Sequence, residues 1–196
     1  MAAAPLLVVG GIIATSDAGS PAEGPAQVAE HRTPPAVPVP DPTPGTPPQP
    51  ARGLRPDVVV VPALDVRAPV SPIATQGGAL TPPSDPQQVG WWSGGARPGS
   101  SAGAAVVTGH TVHTGGGAFD DLETLAAGDP VVVEAGPRTL AYEVQSVEVL
   151  SRAELARRSA TIFARSGQPR LVLITCEDWD GSAYSSNVVV TARPVR

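Results

Sequence analysis

Proline is distributed unevenly along this chain, and its distribution limits where a folded core can form. Of the 24 prolines, nineteen lie among the first 90 residues, and eleven of those lie between Pro21 and Pro50. Proline fixes φ and has no backbone N–H, so the run PPAVPVPDPTPGTPPQP favours an extended polyproline-II spacer over a packed element. We therefore interpret residues 17–55 as a semi-rigid, disordered linker. A ligand for proline-binding modules is the alternative.

An apolar segment, residues 1–16, precedes this linker. Its run from Leu6 to Ala14 has the length of a signal-peptide core but lacks the basic residues that normally come before one. It is also short for a membrane span. It is either the remnant of a longer signal anchor or a degenerate export signal. We favour the anchor, which predicts a domain attached through its N-terminus to the extracellular face of the cell membrane.

From residue 56 onward the sequence consists of short apolar runs between clusters of Gly, Pro and Asp. The strand-like runs are 58–61, 63–66, 104–107, 130–134, 140–150, 171–175 and 187–192. Such runs are typical of a closed or sandwiched all-β fold. Two stretches favour helix, 119–125 and 152–156, and Ser151 and Glu154 have the spacing of a capping box at the start of the second. We predict an all-β domain over residues 56–196 with one or two short helices.

Charge and cysteine content exclude several classes of function. Eighteen acidic residues outnumber thirteen basic ones, all arginine, and the net charge of −5 argues against a nucleic-acid-binding protein. The single cysteine, Cys176, excludes an internal disulfide and a cysteine-rich zinc site. His113 lies three residues after His110, but we interpret it as an exposed loop residue. We expect no metal and no cofactor.

Cys176 and His110 are the candidate catalytic residues. Each comes at the end of an apolar run, AAVVTG before the histidine and LVLIT before the cysteine. The rim of a β-barrel brings such strand ends together, and an imidazolium beside a cysteine stabilises the thiolate that attacks a carbonyl carbon. The residues alone leave open that Cys176 is a small buried core residue and His110 a turn residue.

Longer strings around these two residues resemble the sortases, most closely the actinobacterial class F. They are TGHTVHTGGGAFDDLETLAAGD and LVLITCEDWDGSAYSSNVVVTARPV, and two upstream strings, VPALDVRAPVSPI and ALTPPSDPQQVGWWSGGARPG, are similar to the same class. The resemblance covers roughly residues 57–196. It implies a closed sortase-type β-barrel of about eight strands.

The resemblance also implies a reaction and its partners. A sortase binds a Leu-Pro-x-Thr-Gly sorting signal of an exported protein and cleaves between Thr and Gly through a thioacyl intermediate. It then transfers the protein to an amine, such as a peptidoglycan precursor or a pilin. Cys176 would be the nucleophile, and His110 the general acid and then the base. The predicted peptide contacts are Thr175, Ile162, Trp179 and Ser185. We expect a monomer that meets the membrane only through its N-terminus and binds no nucleic acid.

One departure from the family pattern concerns an arginine. Sortases hold the substrate carbonyl or oxyanion with an Arg near the start of the strand after the cysteine, and here no Arg lies between Cys176 and Arg193. Asn187, or Ser185 on the same strand face, stands at that position. Three explanations remain open: Asn187 substitutes, the enzyme is slow, or an Arg is donated from elsewhere, namely Arg97, Arg165 or Arg170.

Two rival functions remain. An L,D-transpeptidase or a secreted cysteine peptidase is disfavoured, because no Ser/His-Gly-Cys motif surrounds Cys176 and the cysteine comes late, at a strand end. A catalytically weak or silent sortase-like peptide-binding module is kept open by the missing arginine.

Overall fold

The computed structural model describes residues 53–179 and 184–195, so the predicted stub and nearly all of the predicted linker lie outside the described residues. The described part contains ten strands and one α-helix. In chain order they are β1 (Val58–Val61), β2 (Val66–Ile73), β3 (Thr75–Gln76), β4 (Ala79–Leu80), β5 (Val89–Trp92), β6 (Ala104–Thr108), β7 (Pro130–Ala135), β8 (Arg138–Ser151), α1 (Arg152–Ile162), β9 (Arg170–Trp179) and β10 (Tyr184–Pro194).

Eight of these strands form a closed barrel in the order β1-β2-β5-β6-β9-β10-β8-β7, and β7 pairs with β1 to complete it. The neighbours are antiparallel except for two pairs, β2 with β5 and β6 with β9, which run parallel. Strands β3 and β4 form a separate two-stranded hairpin. The predicted all-β barrel of about eight strands is confirmed.

Two apolar clusters form because alternate residues of a strand face opposite sides of the sheet. One cluster fills the barrel interior and includes Leu171 and Leu173 of β9. The other lies on the outer face, where Val172 and Ile174 of the same strand pack with Ile162 of α1. The helix therefore covers the outside of the barrel over β9.

The connections place four strand ends at one end of the barrel. The parallel strands β6 and β9 both finish there, β8 finishes there, and β10 begins there, since Ser186 pairs with both Ser151 and Glu177. Helix α1 begins directly after β8 and leads to the start of β9. It therefore starts at this end of the barrel and runs towards the other.

Several predicted elements differ in detail from the observed ones. Residues 63–66 overlap a 3-10 turn, Pro62–Leu64, that precedes β2, and the predicted helix over 119–125 is reduced to the 3-10 turn Leu122–Thr124. Helix α1 is longer than predicted, and it begins with the predicted capping box between Ser151 and Glu154. No helix within the described ranges is both long and apolar enough to cross a membrane.

The capping box gives a prediction for stability. Ser151→Ala should lower the free energy of unfolding by about 1 kcal/mol, because the Glu154 N–H loses the hydroxyl that accepts its hydrogen bond. Ser151→Thr keeps the hydroxyl and should stay close to wild type. Urea unfolding followed by circular dichroism measures both variants. An alanine variant as stable as the threonine variant would show that the cap does not stabilise α1.

Candidate active site

The parallel pairing of β6 with β9 brings the two candidate catalytic residues together. Thr108 and Ile174 are register partners, and His110 and Cys176 each lie two residues further along. The pairing continues past the last partners, because the Gly109 N–H donates to the Ile174 carbonyl at 3.0 Å. Adjacent strands are about 4.8 Å apart. Two residues far apart in sequence therefore lie side by side at one end of the barrel.

Thr175 fastens the two strand ends to each other. Its hydroxyl donates to the Gly109 carbonyl at 3.1 Å and hydrogen-bonds the Thr111 hydroxyl at 2.8 Å. The residues on both sides of His110 are thus tied to the residue before Cys176. The Thr175 side chain is 1% exposed. Its predicted contact with substrate stays untested, and its side chain offers no exposed surface for one.

Cys176 faces away from the barrel interior. Thr175 is buried, and the next residue along the strand points to the opposite face. The Cys176 thiol lies at the surface, so the alternative of a buried core cysteine is wrong. The thiol is therefore open to a peptide lying on the outer face of the barrel.

The loop after His110 holds the histidine backbone in place. The Phe119 N–H donates to the His110 carbonyl at 3.0 Å, and Phe119 is fully buried. The Asp120 carboxylate accepts hydrogen bonds from the N–H groups of Val112 at 2.7 Å and Gly117 at 2.9 Å. The half-buried imidazole itself bonds through Nε2 to the Pro83 carbonyl at 2.7 Å.

Asn187 has a polar side chain that lies beside Cys176. It is the register partner of Cys176 across β9 and β10. Its amide nitrogen donates to the Thr175 carbonyl at 3.2 Å and lies 3.8 Å from the Cys176 sulfur. A neutral amide donor therefore stands where the family pattern has an arginine.

The three arginines considered as donated cations lie at the other end of the barrel. Arg170 begins β9, six residues before Cys176, which is about 20 Å along a strand. Its guanidinium bonds the Thr161 carbonyl, and burial lowers the pKa of Arg170. Arg165 bonds the Gly94 carbonyl and lies over the Trp92 ring, and Arg97 lies in the same connection between β5 and β6. None of the three replaces the missing arginine.

The other predicted contact residues have different surroundings. Ser185 is exposed on the same strand face as Asn187. Ile162 is 8% exposed and packs in the outer cluster with Ile174. The backbone of Trp179 pairs with Tyr184 at the end of β9, and its side chain lies outside the described residues. Their contacts with substrate stay predictions.

The first turn of α1 adds to the electrostatics of this end of the barrel. Leu150 pairs with Asn187, and the helix begins two residues later. The positive end of the helix dipole therefore lies at the same end of the barrel as Cys176. Hydrogen bonds from Ser151 lower the pKa of Glu154, so this carboxylate is anionic at neutral pH and offsets part of that positive end.

Comparisons with known proteins agree with this fold. Residues 59–195 match the family model described as the Sortase domain. The chain belongs to the sortase family. Its members are cysteine transpeptidases, so the fold and family support a transpeptidase of the sortase kind. No curated protein matches the chain.

Solved sortases share the fold. Sortase C-1 from Actinomyces oris is 27% identical with a TM-score of 0.56, covering 71% of this chain and 73% of that one. Sortase A from Corynebacterium diphtheriae is 22% identical with a TM-score of 0.58, covering 74% and 63%. Sortase C1 from Streptococcus suis is 22% identical with a TM-score of 0.57, covering 73% and 74%. The last two similarities concern the fold alone.

Within this sortase domain, the contact of His110 with Pro83 is one that the sequence did not reveal. Pro83 bonds His110 through a backbone carbonyl, which any residue could supply, so no side-chain pattern marks it. Among the described residues, no group of three or more His, Cys, Asp or Glu is arranged to hold a metal ion.

The role of Thr175 in joining the strand ends is testable with Thr175→Val. The valine has nearly the same shape but leaves the Gly109 carbonyl without its hydroxyl donor, so we expect a loss of about 1–3 kcal/mol in stability. Thr175→Ser keeps the hydroxyl and should lose less. Urea unfolding measures the stability of both. Valine and serine variants of equal stability would show that the Thr175 hydroxyl does not hold the two strand ends together.

Proposed function

We propose that this sortase domain cleaves a Leu-Pro-x-Thr-Gly-type sorting signal between Thr and Gly and transfers the new carboxyl end to an amine. One observation carries the proposal: an exposed Cys176 lies next to His110, whose flanking residues are both bonded to Thr175. A surface thiol and an imidazole on neighbouring strand ends are the groups that nucleophilic attack on a peptide carbonyl uses.

The reaction uses the pair twice. The Cys176 thiolate attacks the threonine carbonyl carbon, and His110 as imidazolium gives its proton to the departing glycine nitrogen as the C–N bond breaks. A thioester with Cys176 remains. An incoming amine then attacks this thioester, His110 takes up the proton released by the amine, and the thiolate leaves as the new amide bond forms.

Asn187 is our candidate for stabilising the charge that develops on the substrate oxygen. Its amide group lies near the sulfur that attacks, and the Thr175 carbonyl orients it. A preorganised donor at the developing oxyanion lowers the barrier without the need to reorganise water. Hydrogen bonds from neutral donors are roughly half as strong as charge-assisted ones, so we expect slower turnover than with an arginine.

The biological setting belongs to the same proposal. The substrates would be exported proteins that carry a sorting signal, and the amine acceptor a peptidoglycan precursor or a pilin. The domain would lie on the extracellular face of the cell membrane, attached through residues 1–16 and spaced from it by residues 17–55. We also keep the assignment to class F, which the strings around His110 and Cys176 support.

A fluorogenic peptide containing Leu-Pro-x-Thr-Gly tests the reaction. We expect cleavage by the wild type and none by Cys176→Ala. His110→Ala should lower the cleavage rate by about a hundredfold or more, because general acid–base catalysis contributes at least that much. Mass spectrometry of the wild type should find the peptide, cut after Thr, as an adduct on Cys176. Cleavage that survives Cys176→Ala would refute the mechanism.

A second comparison tests the oxyanion donor. Asn187→Ala should lower the cleavage rate by about a hundredfold, the usual loss when one oxyanion donor is removed. Ser185→Ala changes a residue on the same face of β10, two positions before the register partner of Cys176, and should have a much smaller effect. Equal and negligible effects of the two substitutions would show that the donor lies elsewhere.

A catalytically silent peptide-binding module is the second candidate, because Asn187 stands where the family pattern has arginine. The two candidates differ in the chemistry of the thiol. A catalytic Cys176 should react quickly with iodoacetamide at neutral pH, and more slowly in His110→Ala, since the imidazolium stabilises the thiolate. A silent module would bind the peptide, form no adduct and show the same alkylation rate in both proteins.

A further inference from the structure

The connection between β2 and β5, residues 74–88, passes beside the candidate active site. These two strands are parallel neighbours, so the chain must return from one end of the barrel to the other between them. On the way, Leu80 packs against the outer cluster that contains Ile174. Three residues later, the Pro83 carbonyl meets Nε2 of His110 at 2.7 Å.

The segment that carries this carbonyl is itself fixed by Asp85. One oxygen of the Asp85 carboxylate accepts the Gln87 N–H at 3.0 Å, and the other accepts the Gln88 side-chain amide at 3.0 Å. The Gln88 N–H also donates to the Asp85 carbonyl at 3.1 Å. These bonds close residues 85–88 into a turn that begins two residues after Pro83.

The turn is joined to the loop that carries the histidine. The Pro86 carbonyl accepts the Ala118 N–H at 2.7 Å, and the next residue, Phe119, donates its N–H to the His110 carbonyl. The His110 backbone and its imidazole are thus both tied to the same piece of structure. The position of the Pro83 carbonyl relative to the ring is set by this connection.

A carbonyl oxygen only accepts hydrogen bonds, so Nε2 must carry a proton in the bond to Pro83. In the neutral imidazole the lone pair is then on Nδ1. The proton that His110 gains and loses during a reaction is therefore the proton on Nδ1, while the Nε2 proton stays in the bond to the carbonyl.

We propose that residues 83–88 form a histidine clamp that fixes the tautomer and orientation of His110, so that Nδ1 is the nitrogen that transfers protons. Asp85 is a positioning residue of this clamp. The inference rests on the proposed function only in giving His110 an acid–base role, since the tautomer can be measured without turnover. The clamp prevents the ring from turning and offering the other nitrogen to the substrate.

Nuclear magnetic resonance of the full chain with ¹⁵N-labelled histidine tests the clamp. Two-bond correlations distinguish the Nε2–H from the Nδ1–H tautomer, and loss of signals in His110→Gln assigns the ring. The neutral wild-type ring should be the Nε2–H tautomer, with an Nε2 proton that exchanges slowly with water. In Asp85→Ala that proton should exchange quickly, whereas Asp85→Asn, which still accepts the Gln87 N–H, should retain the slow exchange.

The same variants are then compared by peptide cleavage. Asp85→Ala should lower kcat about threefold to tenfold, the effect expected if the single hydrogen bond from Nε2 to the Pro83 carbonyl is lost, with little change in KM. Asp85→Asn should retain a kcat close to that of the wild type. Asp121→Ala, which removes an exposed carboxylate in a neighbouring loop, serves as the control and should match the wild type in rate and exchange.

Two results would overturn the clamp. One is an Nδ1–H tautomer for the neutral ring, and the other is an Nε2 proton whose exchange does not change in Asp85→Ala although that variant is folded by circular dichroism. Failure of the proposed function would look different. The peptide would then remain uncut by the wild type, or be cut by Cys176→Ala, with the slow exchange of the His110 proton intact.

Discussion

The site depends on one parallel contact, that of β6 with β9. Parallel neighbours end at the same edge of a sheet, so residues placed just after each strand come to the same rim. An antiparallel pair would have put Cys176 beside the start of β6, near Ala104, and His110 at the opposite end of the barrel. Thr175 fixes this contact at the barrel end that holds His110 and Cys176, because its hydroxyl bonds the residues on both sides of His110.

Side chains along β9 alternate between the two faces of the sheet, so the residues that stabilise the barrel and the candidate catalytic cysteine lie on opposite faces. Leu171, Leu173 and Thr175 face the interior, where the first two are in the core and the third holds the strand ends. Cys176, one position later, faces outward and stays exposed. A shift of one residue in the register would bury the thiol, so the apolar alternation that stabilises the barrel also keeps Cys176 at the surface.

The sequence predicted the parts of the fold that depend on local patterns. The valine-rich runs and the capping box at Ser151 carry their own signals, and the observed strands and helix contain them. Strand β2 carries a weaker signal, because Pro69 and Pro72 interrupt its pattern, and Gly90 interrupts the short strand β5. The contact between Pro83 and His110 had no signal at all, since a backbone carbonyl is common to every residue.

The missing arginine shows how topology limits what a charge can do. Arg170 is close to Cys176 in sequence, yet the strand between them places it about 20 Å away. That separation is more than twice the screening length of about 8 Å at physiological salt, so its charge has little effect on a reacting oxygen. A neutral donor in that place has to gain by orientation what it lacks in charge. Asn187 is oriented by the carbonyl of Thr175, the residue that also ties His110 to the cysteine strand. The proposed nucleophile, acid–base group and oxyanion donor are therefore all positioned from one buried residue.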